Sequence, residues 1–347
     1  MRASRGDALA WLLSLGLGAG GGAGFALLGM PLPWMLGAMA ATTAASMAGA
    51  SVRVPRILRP VMVSVLGVML GSAFSPTILG QLAGWGFSLM AMAAYLAVTM
   101  VLVTAYYRRV AGFGPVTAYF AAAPGGLTEM VMIGAAMGGD ARLISLSHAL
   151  RVLLVVFAVP GWFRLFGGYD GTGMVAAMGG LAGLTAMDAL LLSGCAAAGV
   201  LLGRTLRLPA GELTGPMLIS AVLHVTGLTT SKPPAELVAI AQVVIGSAVG
   251  CRFAGMRAAE LGRAMLTAVG ATAIMLGLAA AFVMGLAPLL GVPAAAMLLA
   301  LAPGGLAEMS LISLALGLDV AYIATHHVVR ILLVVGLVPL AKRWPRR

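Results

Sequence analysis

Apolar residues run along this chain in long, nearly unbroken stretches, and the polar residues gather in the short gaps between them. Several runs approach about 20 residues, the length a helix needs to cross the hydrocarbon core of a bilayer. The pattern predicts helices near 8–29, 31–50, 60–74, 85–107 and 140–160. Before the last of these, a segment near 113–138 is interrupted by Pro124-Gly125-Gly126. The same order returns near 186–203, 209–227, 236–250, 264–287, 293–317 and 319–341, with its fifth member interrupted by Pro303-Gly304-Gly305. The first run follows Arg2 and Arg5 and has the look of a signal peptide. Its counterpart at 186–203 is an internal span, so it is expected to be retained.

The recurrence extends to residue identities. Residues 123–130 read Ala-Pro-Gly-Gly-Leu-Thr-Glu-Met, and residues 302–309 read Ala-Pro-Gly-Gly-Leu-Ala-Glu-Met, 179 positions later. At that spacing Asp140 matches Asp319, His148 matches His327, Arg151 matches Arg330 and Pro160 matches Pro339. Upstream, Gly67, Gly71 and Phe74 match Gly246, Gly250 and Phe253. Pro31–Met39 resembles Pro209–Met217 at a spacing of 178. So many matches at one offset mark a duplication. The expected domains are a first membrane repeat over 1–167 and a second over 168–347.

Composition and charge add the environment and the orientation. Hydrophobic residues make up 61% of the 347 and charged residues 9%, too few polar side chains for a water-soluble globule. The net charge of +11 lies in clusters between the runs, as cytoplasmic loops require, and not in a stripe for nucleic acid. Cys195 and Cys251 form no CxxC motif and read as buried bystanders. The clusters are in antiphase between the halves. Arg53, Arg56 and Arg59 follow the second run of the first half, whereas Arg252, Arg257 and Arg263 follow the third run of the second. Under the positive-inside rule the halves are inserted upside down relative to each other. Inversion needs an odd number of crossings per half. The expected fold is therefore an all-α integral membrane protein of two inverted-topology repeats. It has about ten transmembrane helices plus two Pro-Gly-Gly re-entrant or broken helices. Both termini are expected to be cytoplasmic, with Lys342, Arg343, Arg346 and Arg347 inside.

The candidate chemistry lies at the breaks. Inverted repeats with interrupted helices characterise many secondary transporters, whose sites lie at the midplane. Broken backbone is tolerated there only where protein or water satisfies it. Pro124, Gly125, Gly126, Pro303, Gly304 and Gly305 supply the breaks, and Glu129 and Glu308 follow within one turn. These carboxylates either carry ions or cap their own helices. Arg151 and Arg330 lie eleven residues beyond Asp140 and Asp319, about 16 Å deeper by helix rise, near the middle of the core. A buried arginine needs a partner, and the neighbouring glutamate is the expected one. His148 and His327 join the candidate substrate- or ion-binding set. No histidine spacing supports a metal site, so no metal and no cofactor is expected.

The repeated APGGLxEM, with the D…H..R and LLVV run after it, resembles the membrane AbrB family of Gram-negative bacteria, built from an AbrB duplication. The resemblance covers essentially the whole chain. It implies a multi-pass protein of the inner membrane. Its members carry labels of regulators of aidB expression or of ammonia monooxygenases. The soluble DNA-binding AbrB shares only the name, and no DNA-reading motif is present, so any regulation of gene expression would be indirect. A secondary transporter of a small, anionic solute is the leading expectation, a membrane regulator or sensor the alternative. A monooxygenase, the enzyme reading, lacks a metal-ligand cluster. Expected partners are the solute or ion and the lipid bilayer, with a homodimer left open.

Overall fold

The computed structural model of the chain describes residues 5–167, 179–256 and 258–341. The cations at Arg2, Arg257, Lys342, Arg343, Arg346 and Arg347 lie outside the described residues, and the boundary expected at 167/168 falls at their edge. Within them the regular structure is entirely helical. The first half gives α1 (Arg5–Leu27), α2 (Pro33–Met47), α3 (Leu58–Gly71) and α4 (Gly86–Arg109), then α5 (Pro115–Ala122), α6 (Leu127–Ala136) and α7 (Ala141–Phe166). The second gives α8 (Ala186–Thr205), α9 (Gly211–Val225), α10 (Ala235–Gly250) and α11 (Ala258–Leu290), then α12 (Ala294–Leu301), α13 (Leu306–Ala315) and α14 (Val320–Ala341). Among the described residues six helices are long and apolar enough to cross a membrane. Breaks and caps shorten several of the others: α3, for example, has 14 residues. On α8 only 17% of the apolar window is buried, and Leu190 and Leu201 stand exposed. Such faces suit hydrocarbon rather than water. The molecule has the build of a multi-pass membrane protein.

Unusual backbone angles recur at the spacing of the sequence matches. Left-handed φ angles occur at Gly29 and Arg207, at Leu32 and Ala210, and at Gly49 and Gly227, each pair 178 residues apart. They recur at Gly112 and Gly291 and at Gly138 and Gly317, each pair 179 apart. Leu32 and Ala210 are notable because a side chain in that region is strained. Each follows a proline or a Leu-Pro step and starts the second helix of its half.

Contacts divide the chain into two compact units that do not follow the sequence halves. One comprises the described parts of 1–78, 157–258 and 311–321 and holds α1–α3 with α8–α10. Inside it, α1 packs on α2 and α8 on α9, while α10 packs on α2 and α3 on α9. Glycines permit each approach. A Cβ on Gly21 would meet the Gly37 carbonyl, and one on Gly215 the Gly199 carbonyl. On α3, Gly67 and Gly71 bring the backbone onto Leu213 and Met217; on α10, Gly246 and Gly250 do the same to Met35 and Met39. In lipid, where apolar surface gives no reason for helices to meet, such small-residue contacts supply the packing. Ser220 donates to the Val68 carbonyl at 2.7 Å and Ser46 to that of Gly250 at 3.0 Å.

The other unit comprises the described parts of 79–156, 259–310 and 322–347. It gathers α4, α5, α6, α11 and α12, most of α14, and the first parts of α7 and α13. Its core is built from Tyr95, Phe120, Met130, Ile144, Leu301 and Val334, among others. Both Pro-Gly-Gly breaks belong to it.

Candidate functional site

The first break folds its segment into a hairpin. The Asp140 N–H, beyond the end of α6, donates to the Thr117 hydroxyl at the start of α5, at 3.0 Å. A Cβ on Gly139 would stand 3.3 Å from Val116, and one on Gly134 would press on Phe120. The arm of α6 therefore returns beside the arm of α5, and the chain leaves near where it came in. Asp140 then starts α7 as its N-cap, accepting from the Arg142 and Leu143 N–H groups at 2.9 and 3.0 Å.

At the tip, α5 ends with carbonyls that have no partner further along the helix. The side chains of α7 meet them. Arg151, 3% exposed, donates through Nη1 to the Ala123 carbonyl at 3.2 Å and less closely to that of Ala121. His148 bonds the Phe120 carbonyl through Nε2 at 2.8 Å. Since a carbonyl only accepts, Nε2 carries the proton. Nδ1 then accepts from Arg151 Nη2 at 3.0 Å, which fixes His148 as neutral. The second copy uses the same residues. His327 Nε2 donates to the Leu299 carbonyl at 2.9 Å, and Arg330 donates to the Ala302 and Gly304 carbonyls at 2.6 Å each.

The arginines thus neutralise the negative end of the helix before each break, and Glu308, one of the glutamates expected as a partner, acts on Arg330 through its charge. Elsewhere among the described residues Arg53 pairs with Asp7, Arg142 with Glu260 and Arg204 with Glu212. The glutamates serve the opposite pole. Glu129 and Glu308 are each the third residue of α6 and α13, and their carboxylates turn back over Gly126 and Gly305 into the space a Cβ would fill. That is the position of a capping-box carboxylate at a helix N-terminus. Pro124 and Pro303 are buried between the arms. Each break thus carries a cation on its carbonyl end and an anion on its N–H end.

The two copies come together within this unit. Gly125 lies against Val334 of α14, and Arg330 feels the charges of Arg151 and Glu308. Tyr95 of α4 lies within electrostatic reach of both arginines and donates to the Met275 carbonyl at 3.1 Å. The motif gave no sign of Tyr95, whose counterpart position holds Ile274; a phenol midway along a 24-residue apolar helix was the available signal. The copies also differ. The first tip is partly open, with Thr128 exposed and Gly125 and Glu129 half-buried, whereas Ala307, Gly304 and Glu308 are buried. Among the described residues Nε of both arginines and Nδ1 of His327 have no hydrogen-bond partner. Of the two cysteines, Cys195 is buried, but Cys251 is only half-buried, with its thiol 3.9 Å from the Ser14 hydroxyl. Among the described residues no three His, Cys, Asp or Glu side chains stand where they would hold a metal ion.

A family model described as transition state regulatory protein AbrB matches residues 34–346. The uncharacterized protein YhjN of Bacillus subtilis (strain 168) is 27% identical over 95% of this chain and 91% of its own. A protein of Escherichia coli (strain K12), named as a candidate regulator AbrB, is 28% identical over 89% of this chain and 88% of its own. The Bacillus relative takes the likeness beyond Gram-negative bacteria.

Proposed function

The chain belongs to the AbrB family, and we propose that it works there as a secondary transporter of a small anionic solute. One observation carries the reading. Two buried arginines, one from each half, repel one another, and each keeps an Nε–H without a partner among the described residues. Buried charged donors left unmatched are costly, and native proteins rarely keep them without a use. An anion between the guanidiniums removes both the repulsion and the unmet donors. Broken helices supply such sites in transporters built from inverted repeats, and the antiphase of basic loops supports inversion here.

The difference between the copies supports alternating access. Arg151 shares itself between His148 and one close carbonyl, while Arg330 holds two carbonyls and leaves His327 Nδ1 unengaged. In an inverted pair, exchanging these two arrangements moves the opening from one side to the other. On this account both termini are cytoplasmic, in the inner membrane of Gram-negative hosts, and the protein is not an enzyme. The printed names of the family and of the Escherichia coli relative favour a second reading, a regulator, and transport of a signalling solute would produce regulation indirectly.

The test is counterflow in proteoliposomes with a panel of small carboxylates, phosphate and sulfate, and with methylammonium as the cationic comparison. Flux of an anion that Arg151→Lys/Arg330→Lys abolishes, with the variant still monodisperse, supports the proposal. Methylammonium flux alone, or no flux of any probe, contradicts it.

A further inference from the structure

The unit that holds α1–α3 and α8–α10 carries a groove of about 830 Å³ that has no part in the paired breaks. Its walls are apolar: Val61 and Val65 from α3, Leu192, Ala196 and Val200 from α8, and Leu237 from α10. Among the described residues two cations line it, Arg56 and Arg204, and no acidic side chain does. Helix direction places both at one end. Gly67 and Gly71 of α3 follow α9 upward, meeting Leu213 and then Met217, whereas Gly199 and Gly203 of α8 follow it downward, from Pro216 to Gly211. The helices α3 and α8 are therefore antiparallel. Arg56, just before α3, and Arg204, in the last turn of α8, mark the same mouth. The opposite end is closed by Leu184, Pro233 and Pro234.

From Arg204 back to Ala189 the groove follows α8 for about 22 Å by helix rise. That spans more than one leaflet, about half of a 30 Å core. Arg204 meets Glu212 only at 3.9 Å, with both side chains exposed, which leaves its guanidinium able to turn toward the mouth. The matching positions of the other half are Ala235, 179 residues after Arg56, and Ala26, 178 before Arg204. The feature is therefore not a by-product of the duplication.

We propose that this groove is a binding site for an anionic glycerophospholipid, with its phosphate at Arg56 and Arg204 and one acyl chain along α3 and α8. Basic mouths between membrane helices recognise anionic headgroups in this way. The apolar lining takes the chain, and a neutral headgroup forgoes the two arginines.

The experiment uses the full chain, stripped of lipid in a neutral detergent and titrated with dioleoyl phosphatidylglycerol or dioleoyl phosphatidylcholine. Native mass spectrometry counts adducts, and thermal unfolding reports stabilisation. Wild type is expected to bind phosphatidylglycerol about thirtyfold more tightly, the product of two near-surface cation contributions. Arg56→Gln/Arg204→Gln removes the preference without changing phosphatidylcholine binding, and Ala196→Trp, which fills the groove, removes both. Equal binding of the two lipids by wild type overturns the proposal, and that comparison needs no variant to fold. It is equally overturned if inorganic phosphate reproduces the stabilisation, or if the groove holds a second copy, seen as a dimer that Ala196→Trp dissociates.

Discussion

At the scale of single residues, every break in a membrane helix makes two problems of opposite sign, unpaired carbonyls before it and unpaired N–H groups after it. Here an arginine answers the first and a glutamate the second, twice over. The strength of the answer differs between copies. Arg330 holds two carbonyls at 2.6 Å, while Arg151 holds one at 3.2 Å and a second at 3.5 Å. Leaving a buried acceptor unmatched costs about 1–3 kcal/mol. Arg330→Met should therefore lower the unfolding temperature in detergent more than Arg151→Met does, and lysine at either position should recover part of the loss. Equal losses would mean that the carbonyl contacts are not what the arginines contribute. At the opposite pole, Gly305→Ala displaces the Glu308 carboxylate from its place over the helix start. A lost cap costs about 1 kcal/mol. In a double-mutant cycle Gly305→Ala and Glu308→Ala should be far from additive, the pair costing little more than either alone. Additive losses would separate the glycine from the cap.

At the scale of helices, the apolar runs located most elements to within a few residues, because a run bounded by Gly, Pro or charge leaves the helix little choice of ends. The short helix Ile78–Leu82 was missed, and α7 and α11 extend six residues beyond their runs. The repeat foretold more than its matching letters, since left-handed turns recur at Leu32 and Ala210 where only the prolines hinted at them. What stayed hidden were the carbonyls at Arg151 and Arg330. Sequence reading pairs side chains with side chains, so it offered glutamate, while backbone carbonyls of Ala123, Ala302 and Gly304 also hold the arginines. Tyr95 was hidden for another reason: it belongs to α4 and stands outside the duplicated motif. The close helix contacts give a prediction of their own. A Cβ at Gly71 meets backbone of α9 on Met217, where nothing can yield, whereas one at Gly277 on α11 meets nothing within 4 Å. Gly71→Ala should destabilise by about 1–3 kcal/mol, and Gly277→Ala should cost nothing or stabilise slightly. Thermal unfolding of the two variants side by side distinguishes helix contact from general intolerance of substitution at glycine.

At the scale of the whole molecule, the account depends on the halves being upside down with respect to one another. The loops at 51–57 and 251–256 should then both face the cytoplasm, while Thr230 and Gly291 face outward. Single cysteines at those places, probed in intact cells with an impermeant thiol reagent, should label at Thr230 and Gly291 only. The central claim, an inverted pair of breaks that open alternately, is tested most directly by sidedness at the breaks themselves. Thr128 and Ala307 occupy the same position of the repeated motif, one exposed and one 8% exposed. Cysteine at each, in a background lacking Cys195 and Cys251, is to be labelled with an impermeant maleimide in right-side-out and inside-out vesicles. The account predicts reaction at position 128 from one face, any reaction at position 307 from the opposite face, and a rise at one whenever the other is slowed. Reaction of both positions from the same face would contradict it.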